Sequence, residues 1–280
     1  MSVDYDMRIL SLGAGVQSTA LYLMALADEF EDPPTVAIFA DTQWEPQVVY
    51  DHLDELERLG GEKIPIHRVT HGNLKEDVMD AVGPPGRKIG HIGQPPFFVR
   101  ETDEDAMAAG RQPDRGGMLW RKCTTDYKLA PLRKEVRRLA GIKPRQRKIE
   151  VRVQQWIGIS IDEASRMKDS GVPWSDNYYP LIEHRLSRAD CLKWLKAHGY
   201  PEPRKSACTC CPYHSKSHWV DMKKHHPQEW DDAVAFDAHL RTGKLPGVTG
   251  DAYVHRRMVP LEEAILSDHD PDQIDMFEQE

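Results

Sequence analysis

Residues 7–19 read MRILSLGAGVQST, and the reading of this stretch decides the fold. An apolar run (Ile9, Leu10, Leu12) meets a Gly13-Ala14-Gly15 turn, and a helix-competent segment follows from Ser18. Small residues let the backbone approach an anion, and the free N–H groups and dipole at a helix start stabilise its charge. The stretch therefore reads as strand, phosphate-binding turn and helix. The plainer alternative is a tight turn with no ligand.

Three phosphate loops compete for the pattern. A Walker loop needs Lys before its Ser/Thr, and Gln17 stands there instead. The dinucleotide fingerprint fits Gly13-x-Gly15-x-x-Ser18 nearly as well, with Asp41 about twenty residues on as a ribose-binding acid. The S-G-G-x-D-S loop of ATP pyrophosphatases keeps Gly15 and Ser18, with Gly13, Ala14 and Gln17 as departures. The loop by itself does not choose.

Downstream, strand and helix patterns alternate. Residues 35–40 and 64–69 read as strands, and residues 18–30, 46–59 and 73–82 as helices, the last opened by Asn73. Such alternation predicts a Rossmann-like α/β fold, a parallel sheet with helices on both faces, whose ligands sit at the strands' carboxyl ends. Residues 83–118 break the rhythm with Gly, Pro and charge, and read as a substrate loop or lid, or as an insertion. Within them, Pro95-Pro96-Phe97-Phe98 could cover a flat ring or simply pin the loop. A basic helix is expected over 121–139, a strand over 149–159, and a capping box opens a helix at Ser187. Two helices are expected over 215–224 and 227–242. The domain division is 1–204 for the nucleotide-binding part, 205–245 for a Cys-rich, mostly helical C-terminal part, and 246–280 for a flexible tail.

Lys and Arg number 37 against 45 Asp and Glu, a net charge of -8, so no global basic field drives nonspecific nucleic-acid binding. No apolar run approaches a membrane span and the first residues carry no basic-then-apolar leader, so the expectation is a cytoplasmic protein with no membrane partner. Against the acidic total, Arg121 to Arg138 form a local positive stripe, suited to phosphates or merely a solvated helix face.

Five cysteines in a reducing compartment point to metal ligands or reactive thiols rather than disulfides. Cys208 and Cys211 are spaced C-x-x-C, which lets two thiolates face one metal from a tight loop. Cys123 is the expected partner, its thiol pKa lowered by Arg121 and Lys122. Cys210 could replace either neighbour, and Cys191 reads as core. A Cys3His zinc site including His214 and a three-cysteine [4Fe–4S] cluster both fit, beside unligated thiols and a metal-free redox dithiol.

Four stretches together resemble the phosphoadenylyl-sulfate (PAPS) reductase-like branch of the ATP pyrophosphatase, or adenine nucleotide alpha-hydrolase, superfamily. They are SLGAGVQST, FADTQWEPQVVYDHL, GISIDEASRMK and the Cys123-Thr124, Tyr127-Lys128, Cys208–Cys211 set. The resemblance implies ATP with Mg²⁺ as nucleotide and a [4Fe–4S] cluster on Cys123, Cys208 and Cys211, with Zn²⁺ as the alternative. It implies a phosphate site lined by Ser11, Gly13, Ala14, Gly15, Gln17, Ser18 and Thr19, with Asp41 and Thr42 beside the nucleotide. Asp162, Glu163 and Arg166 would close over phosphate or sulfate as catalytic groups together with Asp41, while Lys128 and Arg133 add phosphate contacts.

Reductases of this branch carry a catalytic cysteine in the tail, and this chain has none after Cys211. The expectation is therefore ATP-dependent sulfur transfer to a nucleotide or nucleic acid. A sulfonucleotide reductase and a zinc-stabilised, non-enzymatic nucleotide-binding module are the alternatives. Near the C-terminus, Gln273-Ile274-Asp275-Met276-Phe277 resembles the peptide by which bacterial proteins dock on the DNA sliding clamp. A second copy of the chain is a further candidate partner.

Overall fold

Successive side chains of a strand face opposite ways, and in this protein each direction meets its own apolar layer. In β1 (Met7–Leu12), Leu10 and Leu12 enter one cluster and Ile9 another. In β2 (Val36–Asp41), Ala37 and Phe39 join the first, Val36 and Ile38 the second. The structure is a computed structural model that describes residues 4–84, 86, 92–101, 103–108 and 116–264.

The main sheet has five strands, all parallel, in the order β3-β2-β1-β6-β7. The flanking strands are β3 (Ile66–Thr70), β6 (Val153–Ile157) and β7 (Ser175–Tyr178). Helices α1 (Val16–Leu26), α2 (Gln47–Gly60) and α7 (Arg188–Ala197) supply the first layer. Helix α5 (Ala130–Leu139) covers the opposite face through Leu132 and Val136. This is a Rossmann-like α/β sheet with helices on both faces. Strand order reverses between β1 and β6, which opens a crevice at their carboxyl ends.

A second core gathers around Trp44, Phe97, Trp219 and Phe236. It takes in α3 (Leu74–Ala81), α8 (Lys216–His225) and α9 (Pro227–His239). Beside it, β4 (Phe98–Arg100) pairs antiparallel with β5 (Gly117–Met118) and with β8 (Asp251–Tyr253). The short helices α4 (Asp103–Ala108) and α6 (Pro180–Glu183) and the 3₁₀ turns Ile161–Arg166 and Leu261–Glu263 stand between these elements.

Several boundaries differ from expectation for identifiable reasons. The basic helix expected over 121–139 is a π-helical turn, Thr124–Leu129, leading into α5. Pro131 has no N–H to give to the fourth carbonyl back, and the Ala130 N–H donates to Thr125 O, five residues away. Phe97 is fully buried and packs 5.9 Å from Phe236, so this ring of the Pro95–Phe98 cluster pins its loop. The rest of the expected lid, at 85, 87–91, 102 and 109–115, lies outside the described residues.

The tail expected from 246 onward is folded as far as Ala264. The buried Asp237 carboxylate accepts the Val254 and Leu261 N–H groups, each at 2.9 Å, and pairs with Arg241 at 2.8 Å. Residues 265–280, and with them the clamp-like peptide, lie outside the described residues. Among the described residues, no helix is long and apolar enough to cross a membrane.

Candidate functional site

The loop after β1 turns through Ala14, a buried residue with φ of 55°, and delivers the chain to α1 with Gly15 as N-cap. No side chain caps α1 and its first turn carries no acid, so its N–H groups face the crevice uncompensated. A Cβ on Gly15 would meet open space, whereas one on Gly13 would touch only Ser18 Oγ at 3.6 Å. Ser18 Oγ donates to Gly15 O at 3.2 Å and tightens the turn. Two residues expected on the phosphate face elsewhere. Thr19 Oγ1 lies 3.0 Å from His52 Nε2 on α2, and Ser11 accepts a hydrogen bond from Gln155 Nε2 at 2.7 Å.

The segment after β6 closes over this loop from across the switch point. Gly158 permits the approach, since a Cβ there would lie 2.8 Å from both N and Cα of Ser18. Gln17 Nε2 donates to Glu163 Oε2 at 3.2 Å and to Ser160 Oγ at 3.4 Å, and Glu163 pairs with Arg166. The amide at Gln17 thus answers an acid that a loop aspartate would repel. Asp162 is engaged differently, accepting the Arg188 N–H at the start of α7 at 2.8 Å and the Ser160 hydroxyl at 3.3 Å. Glu163 is thus engaged through both oxygens and Asp162 through Oδ2.

The loop after β2 carries the other half of the site. Asp41 Oδ1 accepts from the Gln43 N–H at 2.7 Å and from the Tyr50 hydroxyl at 2.9 Å, which holds Gln43 at a φ of 58°. Trp44 is then buried against Phe236 at 4.5 Å, and its carbonyl accepts the Thr209 N–H at 3.0 Å. This clasp brings the 205–214 loop onto the end of β2. There Thr42 is fully buried with its hydroxyl 3.2 Å from Cys208 Sγ, so its side chain belongs to a thiol pocket.

Cys208 Sγ lies 3.9 Å from Glu45 Oε1, the Cys211 N–H donates to Cys208 O at 3.0 Å, and Arg121, two residues before Cys123, packs on the ring of Tyr213, two residues after Cys211. Lys128 had been expected on phosphate. Its Nζ instead lies 3.3 Å from Glu45 Oε1, whose side chain is out of solvent, and Ser206 Oγ donates to the other oxygen at 3.3 Å. Burial opposes the Lys128 charge, but Glu45 and the neighbouring thiols raise its pKa overall.

Burial also pushes all three thiols up, Cys123 included; Lys128 and Arg121 oppose it there without prevailing, and the activation expected from Arg121 and Lys122 is not found. Thiols in that state become good ligands only when a metal's charge deprotonates them. Cys210 points away into the second core and is fully buried, and Cys191 is fully buried in the first. Glu45 and Ser206 escaped the sequence reading. The acid two residues beyond Gln43 was the available signal.

A tetrahedral zinc would bring its four ligand atoms within about 4 Å of one another. His214 is held by one of its ring nitrogens. Its Nε2 donates to the carbonyls of Cys208 and Thr209, at 2.9 and 3.2 Å, and its buried Nδ1 has no partner. Among the described residues, no three His, Cys, Asp or Glu side chains form a single-ion site. A cluster interposes its own irons and sulfides and holds its thiolates further apart than a single ion does.

Arg133 lies apart from the phosphate loop, in a cavity of about 850 Å³ between α5 and the end of β3. A Rossmann-like sheet with an uncapped phosphate-type turn and a thiol pocket at its carboxyl edge defines the class of this protein. No family model matches the chain, and no curated protein matches it. Among solved structures it is similar to phosphoadenylyl-sulfate (PAPS) reductase from Candida auris, in its phosphate complex. The match spans 71% of this chain and 76% of that one, at 12% identity and a TM-score of 0.39. No residue role is transferred on a likeness of that extent.

Proposed function

We propose that the protein is an ATP-dependent iron–sulfur enzyme that transfers sulfur to a nucleotide or nucleic acid. One observation carries the reading. Cys208 lies 3.2 Å from the Thr42 hydroxyl and 3.9 Å from buried Glu45, which pairs with Lys128. The Arg121–Tyr213 contact joins the segments of Cys123 and Cys211 beside it, at the end of β2, the strand next to the one that delivers the α1 phosphate loop.

In this reading the backbone N–H groups of Gly15, Gln17 and Ser18 bind the ATP phosphates, and Mg²⁺ arrives with the nucleotide. Glu163, held by the Gln17 amide, and Arg166 form the opposite wall, with the guanidinium nearest a departing anion. Cys123, Cys208 and Cys211 hold a [4Fe–4S] cluster, which when bound supplies an iron open to sulfur. Lys128, kept charged by Glu45, offsets the negative charge gathered in the thiol pocket. Trp44, Tyr127 and Cys210 keep water from its floor.

Incubation of anaerobically prepared protein with ATP, a sulfide source and RNA or DNA tests the reading. AMP release coupled to acceptor-bound sulfur is the expected result. ATP left intact, or AMP formed with no sulfur in any acceptor, sinks it.

A further inference from the structure

We propose that the surface running from Trp120 to α5 binds single-stranded nucleic acid, with one base stacked on Trp120 at the mouth of the thiol pocket. The inference rests on the sulfur-transfer reading and selects the polymer over the free nucleotide as acceptor.

Trp120 is 87% exposed, the most exposed large apolar side chain among the described residues. It is followed by the exposed Arg121 and Lys122 and stands three residues before Cys123. The Arg121 guanidinium lies 5.4 Å over the ring of Tyr213, two residues beyond Cys211. Arg121 therefore ties together the two segments that carry the thiols, and Trp120 stands beside that tie. The rim of the thiol pocket is thus cationic in a chain whose net charge is -8, a local complement to a polyanion.

Beyond the π-helical turn, Arg133 and Lys134 line the 850 Å³ cavity with Thr125, Leu129 and Thr70. Arg138 there is bound to Glu135, and Arg137 to the carbonyl of Lys143. Arg133 and Lys134 make no ion pair with the described residues, which leaves their charges for a ligand. An exposed indole with Arg121 and Lys122 next to it in the chain, and Arg133 and Lys134 further along on α5, matches the needs of a single strand. Its base faces are open for stacking, whereas a duplex hides them.

The test is an anisotropy titration, without ATP, of labelled oligonucleotides of about 12 residues with the full chain. Ribo- and deoxyribo-strands are both used, and the tighter one identifies the natural polymer. Trp120→Ala is expected to weaken single-strand binding by about tenfold, with Trp120→Phe retaining most of it. The side chain is exposed, so the substitution spares the fold. The Arg133→Ala/Lys134→Ala pair should lower the salt slope by about 1.4, the share of two single-strand phosphates. Duplex bound as tightly as single strand, or Trp120→Ala bound like wild type, overturns the proposal. Oligonucleotide binding through Trp120 without AMP release would retire the sulfur-transfer reading alone. Sulfur transfer to a free nucleotide, indifferent to Trp120, would retire this surface alone.

Discussion

Lys128 Nζ lies 3.3 Å from Glu45 Oε1, and the carboxylate it meets is wholly shielded from solvent. Removing the ammonium strands a buried charge, whereas neutralising the acid leaves a hydrogen-bonding amide and a lysine that still reaches water. Lys128→Ala is therefore expected to cost about 2–4 kcal/mol and Glu45→Gln distinctly less. Chemical denaturation of both variants measures this. Equal, small losses would show that the pair is solvated.

Gly158 is tested through its neighbour. Gly158→Ala places a methyl against the Ser18 backbone at 2.8 Å, a contact that only a shift of the phosphate loop relieves. A stability loss of about 1–3 kcal/mol is expected, with ATP affinity down by roughly tenfold in calorimetric titration. Unchanged affinity would put the phosphate site elsewhere.

A pH dependence follows from Glu135, held down at about 2, first by its hydrogen bonds from Arg138 and further by His67, with burial opposing. A depressed carboxylate stabilises the fold above its unfolded pKa of about 4.3, and that contribution is lost as pH falls through the folded value. Glu135→Gln should cost about 1 kcal/mol near neutrality, discounted for solvent, with the gap from wild type closing between pH ~4.5 and ~2. Urea denaturation across that range decides it; a gap constant with pH would contradict the assignment.

The alternating strands and helices of the first eighty residues were legible from their hydrophobic periods and, in α3, from its cap. Asn73, for instance, accepts from the Lys75 and Glu76 N–H groups. The Ser187–Asp190 capping box is formed in full. The thiol set was legible as a spacing. What it faces was not, because burial of Glu45 and Thr42 depends on Trp44 meeting Phe236, nearly two hundred residues away along the chain. Tertiary context likewise reassigned Lys128 from phosphate to Glu45, and anchored residues 246–264 through Asp237, an acid that reads as a surface residue of α9. The edge strand β7, reading SDNY, carries no apolar run to announce it.

Cys208 and Cys210 separate ligand from core within one loop, so iron content across their variants is the most direct measurement. Wild-type protein purified anaerobically is expected to be brown, absorbing near ~400 nm with about four irons per chain. Cys208→Ala should fold but lose the colour, and Cys210→Val should keep it. Colourless wild type with stoichiometric zinc, or iron lost from Cys210→Val and retained by Cys208→Ala, would contradict the cluster.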